Sequence, residues 1–532
     1  MVYPGLWLTP DCYAESLRPA IQTRIPILSQ LFITNRVWFR LLVAAVVCLY
    51  LVLAIASTRT KAPWCDEGYF AEPALQLSQG SAMATTAVPP SPIDDPKSQG
   101  TDRATYYVMP LNLLLQAGWY KVAGFGILQM RLLSVMWGAV ELSALILILR
   151  AVRAPDGLIA LTLALVGLDY TFIRAASDGR MDLMSAALGL LGIALYLRFR
   201  QARLAWAVFT ACCCVSAACF THPIGGLLAL IGLSLVAIIS DFRRLKIWHV
   251  LPAVAPFLIG AAGWGWYISQ NSEIFREQFS NISSGRLSAW KQPLHAISRE
   301  IHERFLGPFG ITGPASSPAK RLKAIVLLAD WAALLSAAIW FRRVRQYWIP
   351  IVLAWACTLA LALLEGTKAA AYLVHVVPLY SVLVAIWIWH FRRHRLLMTG
   401  VVAALLAVQL AGTVYAIRKD SYRNDYLPAI GFLATHPTPD HRIFGVSELG
   451  FGLGFRHGLI DDRRLGFYNG LAADTVVVDR TYRDQWVMYG NERPEIRAYI
   501  AGLLSDYRVV FRNSLYTIYQ RNESKAMSAV IR

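Results

Sequence analysis

Stretches of roughly 20 apolar residues recur along this chain, each long enough to cross a hydrocarbon core as a helix. With hydrophobic residues at 56% of 532, a water-soluble fold is excluded. The pattern predicts about eleven crossings, at 38–57, 127–149, 157–174, 182–199, 204–221, 224–240, 247–268, 322–341, 347–364, 370–390 and 396–416. A further stretch, 106–120, is shorter and carries Pro110, Asn112 and Gln116, so an interfacial or re-entrant helix is expected there.

Charge supports that count. With 106–120 left out, the basic clusters all fall on one side: Arg150/Arg153, Arg198/Arg200/Arg203, Arg243/Arg244/Lys246, Arg342/Arg343/Arg345 and Arg392/Arg393/Arg395. That side is cytoplasmic by the positive-inside rule. The expectation is a cytoplasmic tail over 1–37, a bundle over 38–416 and an extracytoplasmic segment over 417–532. The setting would be a plasma membrane, the inner one in a bacterium. The net charge of +18 comes mainly from the inner turns, so it reports topology and implies no nucleic-acid partner. The first apolar stretch lies too far from the start for a cleavable signal and reads as an uncleaved anchor. A Cys65–Cys219 disulfide is conceivable, but a disulfide framework is not. Cys212, Cys213 and Cys214 are consecutive, about 100° apart on a helix, and cannot converge on one ion.

Three segments leave the bundle on the outer side. The first, 58–126, holds Asp66 and Glu67, an amphipathic run Tyr69–Gln79 with Pro73 near a helix start, a Pro/Ser/Asp loop at 89–96 and the 106–120 helix. The second, 269–321, is polar, contains Arg276, Arg286, Lys291, Arg299 and Arg304, and ends in a Gly/Pro-rich stretch at 307–314. The third, 417–532, changes to an α/β pattern. Strands are expected at Arg442–Val446, Thr475–Val478, Arg508–Phe511 and Ser514–Tyr519, and a helix at Pro494–Ser505. No Walker A or dinucleotide fingerprint is present, so this segment reads as an accessory or acceptor-binding module.

The ionisable residues gather at successive outer turns. Asp66 and Glu67 come first, readable as a catalytic base in an outward cavity or as a helix cap. Asp178-Gly179-Arg180-Met181-Asp182 offers a second carboxylate facing the first, or a dipole-stabilised helix start with Arg180 paired locally. His222 could carry a proton or donate to substrate. Lys368 is the one cation of its turn and a phosphate candidate, with Arg131 a weaker one. Glu141, Asp169, Asp330 and His375 lie within expected spans, where ionisable groups usually face the bundle interior.

The run Trp64-Cys65-Asp66-Glu67-Gly68-Tyr69-Phe70-Ala71-Glu72-Pro73-Ala74 resembles the first outer loop of glycosyltransferase family 39. This is the protein O-mannosyltransferase-like branch of the GT-C membrane glycosyltransferases, which also resembles the aminoarabinose transferases acting on lipid A. The likeness continues through Thr105–Leu111, Trp119–Gly126, Met130-Arg131-Leu132-Leu133-Ser134, Gly179-Arg180-Met181-Asp182, Thr367–Leu373 and Pro378. It covers roughly 60–390 and leaves out the C-terminal segment. The family's Pro-Pro-Leu-Tyr segment is not intact, and no segment corresponds to the inserted lumenal domain of the eukaryotic mannosyltransferases. The resemblance implies transfer of a sugar from a polyprenyl-phosphate carrier to an acceptor hydroxyl on protein, lipid or glycan, with inversion at the anomeric carbon. It implies catalytic roles for Asp66, Glu67 and Asp182, and donor or phosphate contacts for Lys368, Arg131, Arg180, His222 and Tyr372. No metal set is read from the spacing and no cofactor is certain; a divalent cation is allowed but not indicated. The competing reading is a secondary transporter using Glu141, Asp330 and His375. A third is an inactive relative that presents its C-terminal segment to a partner.

Overall fold

The computed structural model describes residues 36–89, 98–286, 289–307, 309, 311–312, 322–436, 442–455 and 458–522. The expected tail before residue 36, the loop over 90–96 and much of 307–321 lie outside the described residues. Among the described residues, eight helices are long and apolar enough to cross a membrane. The chain is an integral multi-pass membrane protein.

The eleven expected crossings are not eleven long helices. Expected span 157–174 is broken into α5 (Asp156–Gly167) and α6 (Tyr170–Ala176), bent by 64°. The break has a local cause. Asp169 caps α6, its carboxylate accepting from the Phe172 N–H at 2.9 Å, and Gln409 holds the same carboxylate. Expected span 370–390 begins instead as a 3₁₀ segment at Ala370–His375, and only Val377–His390 is α-helical. The helix Lys323–Ile339 runs 17 residues.

Two shorter helices lie outside this set. Helix α2 (Cys65–Ser78) starts well before Pro73, which sits inside it, so Pro73 does not mark the helix start. Trp64 is its N-cap residue, with Glu67 at the third position reaching back to the Trp64 N–H. Asp66 therefore does not cap the helix. Helix α3 (Pro110–Ala123), 14 residues long, occupies the stretch expected to be interfacial, and packs on α2.

Helix α7 (Asp182–Phe199) lies at the heart of the bundle, against α4 (Ile127–Ala151), α8 (Leu204–Thr221) and α9 (Pro223–Asp241). Its small residues permit this. A Cβ on Gly192 would stand 2.9 Å from the Ala211 carbonyl, and one on Gly189 2.7 Å from the Ala229 Cβ. A helix gripped on three sides presents Asp182, at its first turn, with little freedom.

The C-terminal part holds a five-stranded sheet in the order β2-β1-β3-β5-β4, from β1 (Ile443–Phe444), β2 (Leu459–Ile460), β3 (Thr475–Val478), β4 (Tyr507–Arg512) and β5 (Thr517–Arg521). β1 pairs in parallel with β2 and β3, while β5 is antiparallel to β3 and β4. Strand β3 is buried along its whole length, as a run of Thr and three Val predicts. The core of this part includes Ala62 and Cys65 of the bundle side. Contact with α2 is close because residue 68 is glycine: a Cβ there would meet the Glu448 N–H nitrogen at 2.6 Å. The Ser447 hydroxyl donates to the Cys65 carbonyl at 3.0 Å, and Arg463 donates to the Tyr69 hydroxyl at 3.1 Å. Cys65 and Cys219 are both free, so the conceivable disulfide is not formed.

Candidate active site

The ionisable residues at the α2 end of the bundle sort into three clusters with different solvent access. The first is closed. Glu67 and Arg131 are fully buried and face each other in a two-pronged pair, Arg131 Nε to Glu67 Oε1 at 2.7 Å and Nη2 to Oε2 at 2.6 Å. The remaining Arg131 hydrogens go to the Thr58, Lys61 and Ala62 carbonyls at 2.7–3.1 Å, and Glu67 also accepts the Gly179 N–H at 2.9 Å. Burial opposes ionisation of Glu67. The Arg131 charge and hydrogen bonds, with Lys61 and the Gly179 N–H, outweigh it and hold the carboxyl below its usual range. This pair ties the chain after α1 (Arg36–Thr60), α2, α4 and the 177–181 turn into one knot.

The second cluster is open. Asp66, one position along, is 29% exposed on its side chain. Arg180 pairs with it and, through Nε, with Asp182 Oδ2 at 2.6 Å. Burial works against the Arg180 charge, but Asp182 and Asp66 more than compensate and raise its pKa further. The guanidinium lies over the rings of Trp64 and Phe70, 5.4 and 5.8 Å from their centres. Beyond Asp182 stands His222, its Nε2 3.8 Å from Asp182 Oδ1, with the Tyr372 ring centre 5.0 Å from the imidazole.

The third cluster is closed again. Arg304 bridges Glu365 at 2.6 Å and Glu300 at 2.8 Å, and Lys368 reaches Glu300 at 3.2 Å and the Ala362 carbonyl at 2.5 Å. All four are buried. Burial depresses the Lys368 pKa, and Glu300 only partly restores it. Lys368 also sits at a φ of 54°, a left-handed conformation unusual for a side chain of its length.

Two cavities meet at Asp66 and Arg180. One, of about 330 Å³, is lined by Trp64, Arg174, Asp178, Asp182 and Lys323 together with the apolar Tyr170, Phe309, Ala369–Ala371 and Leu373. The other, of about 580 Å³, runs past Tyr69, Tyr107, His222 and Tyr372 to Asp461, Asp462, Arg463 and Arg464 of the C-terminal part. Of the residues singled out in the sequence, the structure brings together Asp66, Arg180, Asp182, His222 and Tyr372. Glu67, Arg131 and Lys368 line neither cavity; their charges are answered inside the protein. Arg174 and Lys323 were missed. Their signal was a cation at the outer end of an expected span, the side the positive-inside rule leaves poor in them. Glu141, Asp330 and His375 do not form one site. His375 turns toward Asp182 and His222, Asp330 is buried on another helix, and both Glu141 carboxylate oxygens lack a hydrogen-bond partner.

No known sequence family matches the chain, and no curated protein does. Solved structures do. ArnT from Cupriavidus metallidurans in the apo state is 16% identical with a TM-score of 0.55, the match covering 91% of this chain and 98% of that one. The same enzyme bound to undecaprenyl phosphate gives 15% and 0.53 over the same shares. The archaeal oligosaccharyltransferase AglB from Archaeoglobus fulgidus, in complex with an inhibitory peptide and a dolichol-phosphate, is 13% identical at 0.50, over 82% of this chain and 69% of that one. The fold is thus that of the GT-C membrane glycosyltransferases.

Proposed function

We propose that this protein is a membrane glycosyltransferase that moves a sugar from a polyprenyl-phosphate-linked donor to an acceptor hydroxyl at the outer face, with inversion at the anomeric carbon. The observation that carries the reading is the meeting of two cavities at Asp66 and Arg180. One cavity combines apolar walls with Arg174, Arg180 and Lys323, cations suited to a lipid phosphate, set beside the carboxylates Asp66, Asp178 and Asp182. The other, of about 580 Å³, mixes aromatic walls with the charged residues Asp461 to Arg464 and offers room for an acceptor. Solved structures of the same fold hold undecaprenyl phosphate and a dolichol-phosphate, which supports a lipid-linked donor.

In this scheme the acceptor oxygen attacks the anomeric carbon from the face opposite the phosphate. The carbon–oxygen bond to the phosphate breaks, and the acceptor proton passes to Asp66. Arriving phosphate draws the Arg180 guanidinium, which loosens its hold on Asp66 and lets that carboxylate act as base. Arg174 and Lys323 neutralise the departing lipid phosphate. Asp182 keeps Arg180 aimed. Glu67 and Arg131 hold the scaffold, and Lys368 props the neighbouring turn. The basic clusters in the sequence support a cytoplasmic amino terminus and an extracytoplasmic C-terminal part.

The test is turnover of a panel of polyprenyl-phosphate sugars by purified protein, wild type against Asp66→Asn. Amidation should leave the fold intact and cut turnover roughly 100-fold or more. Near-normal turnover in the variant would remove Asp66 from the chemistry.

A further inference from the structure

We propose that Asp182, His222 and His375 form a binding site for a single transition-metal cation, with Zn²⁺ the ion the donor set fits best. Their ligand atoms all lie within 4.8 Å of one another. The residues are 3%, 3% and 8% exposed. Asp182 Oδ1 and His375 Nε2 are buried without a hydrogen-bond partner. Orphaned acceptors in such a place are costly, and two pointing into one small space suit a cation that would take both lone pairs.

The surroundings bring the rings together. Asp182 is fixed by the grip on α7, its other oxygen engaged by Arg180. His222 is the N-cap of α9, between that helix and α8. His375 ends the 3₁₀ segment that replaces the start of an expected span, and its ring lies 6.2 Å from that of His222, inclined by 28°. Gly225 makes room for it, since a Cβ there would stand 2.5 Å from His375 Cε1.

The donor chemistry selects the ion. Two imidazoles and one carboxylate suit Zn²⁺ or its neighbours rather than Mg²⁺ or Ca²⁺, which prefer all-oxygen shells. Arg180 beside Asp182 weakens any ion held by charge alone, so ligation must come from nitrogen. Ligation has one local cost: His222 Nδ1 accepts the Gly225 N–H at 3.3 Å, and turning Nε2 to a metal places the ring proton on Nδ1, giving up that long bond. Three protein ligands leave a fourth position open, and Asp182 and His222 each line one of the two cavities. The proposal stands on these residues alone and does not depend on the glycosyltransfer reading.

The experiment uses the full chain in detergent, stripped with chelator and reloaded with Zn²⁺, its metal content measured after gel filtration. About one Zn²⁺ per chain is expected, and His375→Gln should weaken Zn²⁺ binding by roughly 100-fold while the melting temperature of the stripped protein stays close to wild type. Anomalous scattering at the zinc edge from wild-type crystals should place the ion between the three residues, a readout that needs no variant. Stripped wild type that takes up no Zn²⁺ at micromolar concentration would overturn the site. So would an anomalous peak elsewhere, or equal uptake by His375→Gln and Asp182→Asn.

Discussion

Asp66 and Glu67 are neighbours in sequence and opposites in the structure. Glu67 points inward, meets Arg131 in a two-pronged pair and has no access to either cavity. Asp66 points to where the cavities meet and shares its partner, an arginine that also serves Asp182. Consecutive helix positions diverge by about 100°, so one turn can bury one carboxylate and expose the next. A pair of acids in a motif therefore need not be a catalytic pair: here one builds the platform and the other stands on it.

The sharpest way to break this contrast is to remove the buried partner. Glu67→Ala leaves Arg131 charged and uncompensated, a loss on the order of 3–5 kcal/mol. The expected result is poor yield and a much lower melting temperature in detergent, measured by thermal unfolding. Asp66→Ala should melt near wild type while losing the transfer reaction. If both variants melted alike, the division between platform and base would fail.

A similar contrast separates the cations. Arg174→Ala and Lys323→Ala should each raise the apparent donor constant roughly 10-fold to 100-fold, since a charge-assisted bond to phosphate is worth about 1.5–3 kcal/mol. Lys368→Ala should leave the donor constant nearly unchanged and lower stability instead, because it strips a partner from buried Glu300. Donor titrations on the three variants would check this, and a donor defect confined to Lys368→Ala would reverse the assignment.

The smallest effect concerns pH. The folded pKa of Glu67 lies below its unfolded value, so its pairing stabilises the fold fully above the unfolded pKa. That contribution is lost as pH falls through the folded value. Melting temperature should therefore decline in the acid range below the ordinary carboxylate pKa, and Glu67→Gln, if it can be purified, should show a shallower decline over the same window.

Much of this was legible in advance. The hydropathy pattern gave the membrane bundle, and the β-branched run Thr475–Val478 and the helical spacing in Pro494–Ser505 gave a strand and a helix close to those observed. The short β2 and the helix Arg480–Glu492 were not anticipated, because two residues carry no periodicity and the helix is mostly polar. The break at Asp169 was hidden because a capping carboxylate inside an apolar run looks like any other buried acid. Spacing placed Asp66, Arg180, Asp182 and His222 at neighbouring turns. It could not say that Arg131 and Lys368 find carboxylates within the protein, since Glu67 lies 64 residues from Arg131 and Glu300 lies in a distant loop. Nor could it join His375 to His222, for a histidine in an apolar run reads as a mid-membrane group until the helix there is found to unwind.

The missing side chain at Gly68 has a consequence for engineering. The sheet-bearing part presses its Ser447–Glu448 backbone into α2 two residues from Asp66, and the two share a core through Cys65 and Ala62. A chimera cut at 417 would part the keyhole from its key. The natural unit of exchange is the C-terminal part together with residues 62–78, so grafting another C-terminal part means transplanting the helix of the proposed base along with it.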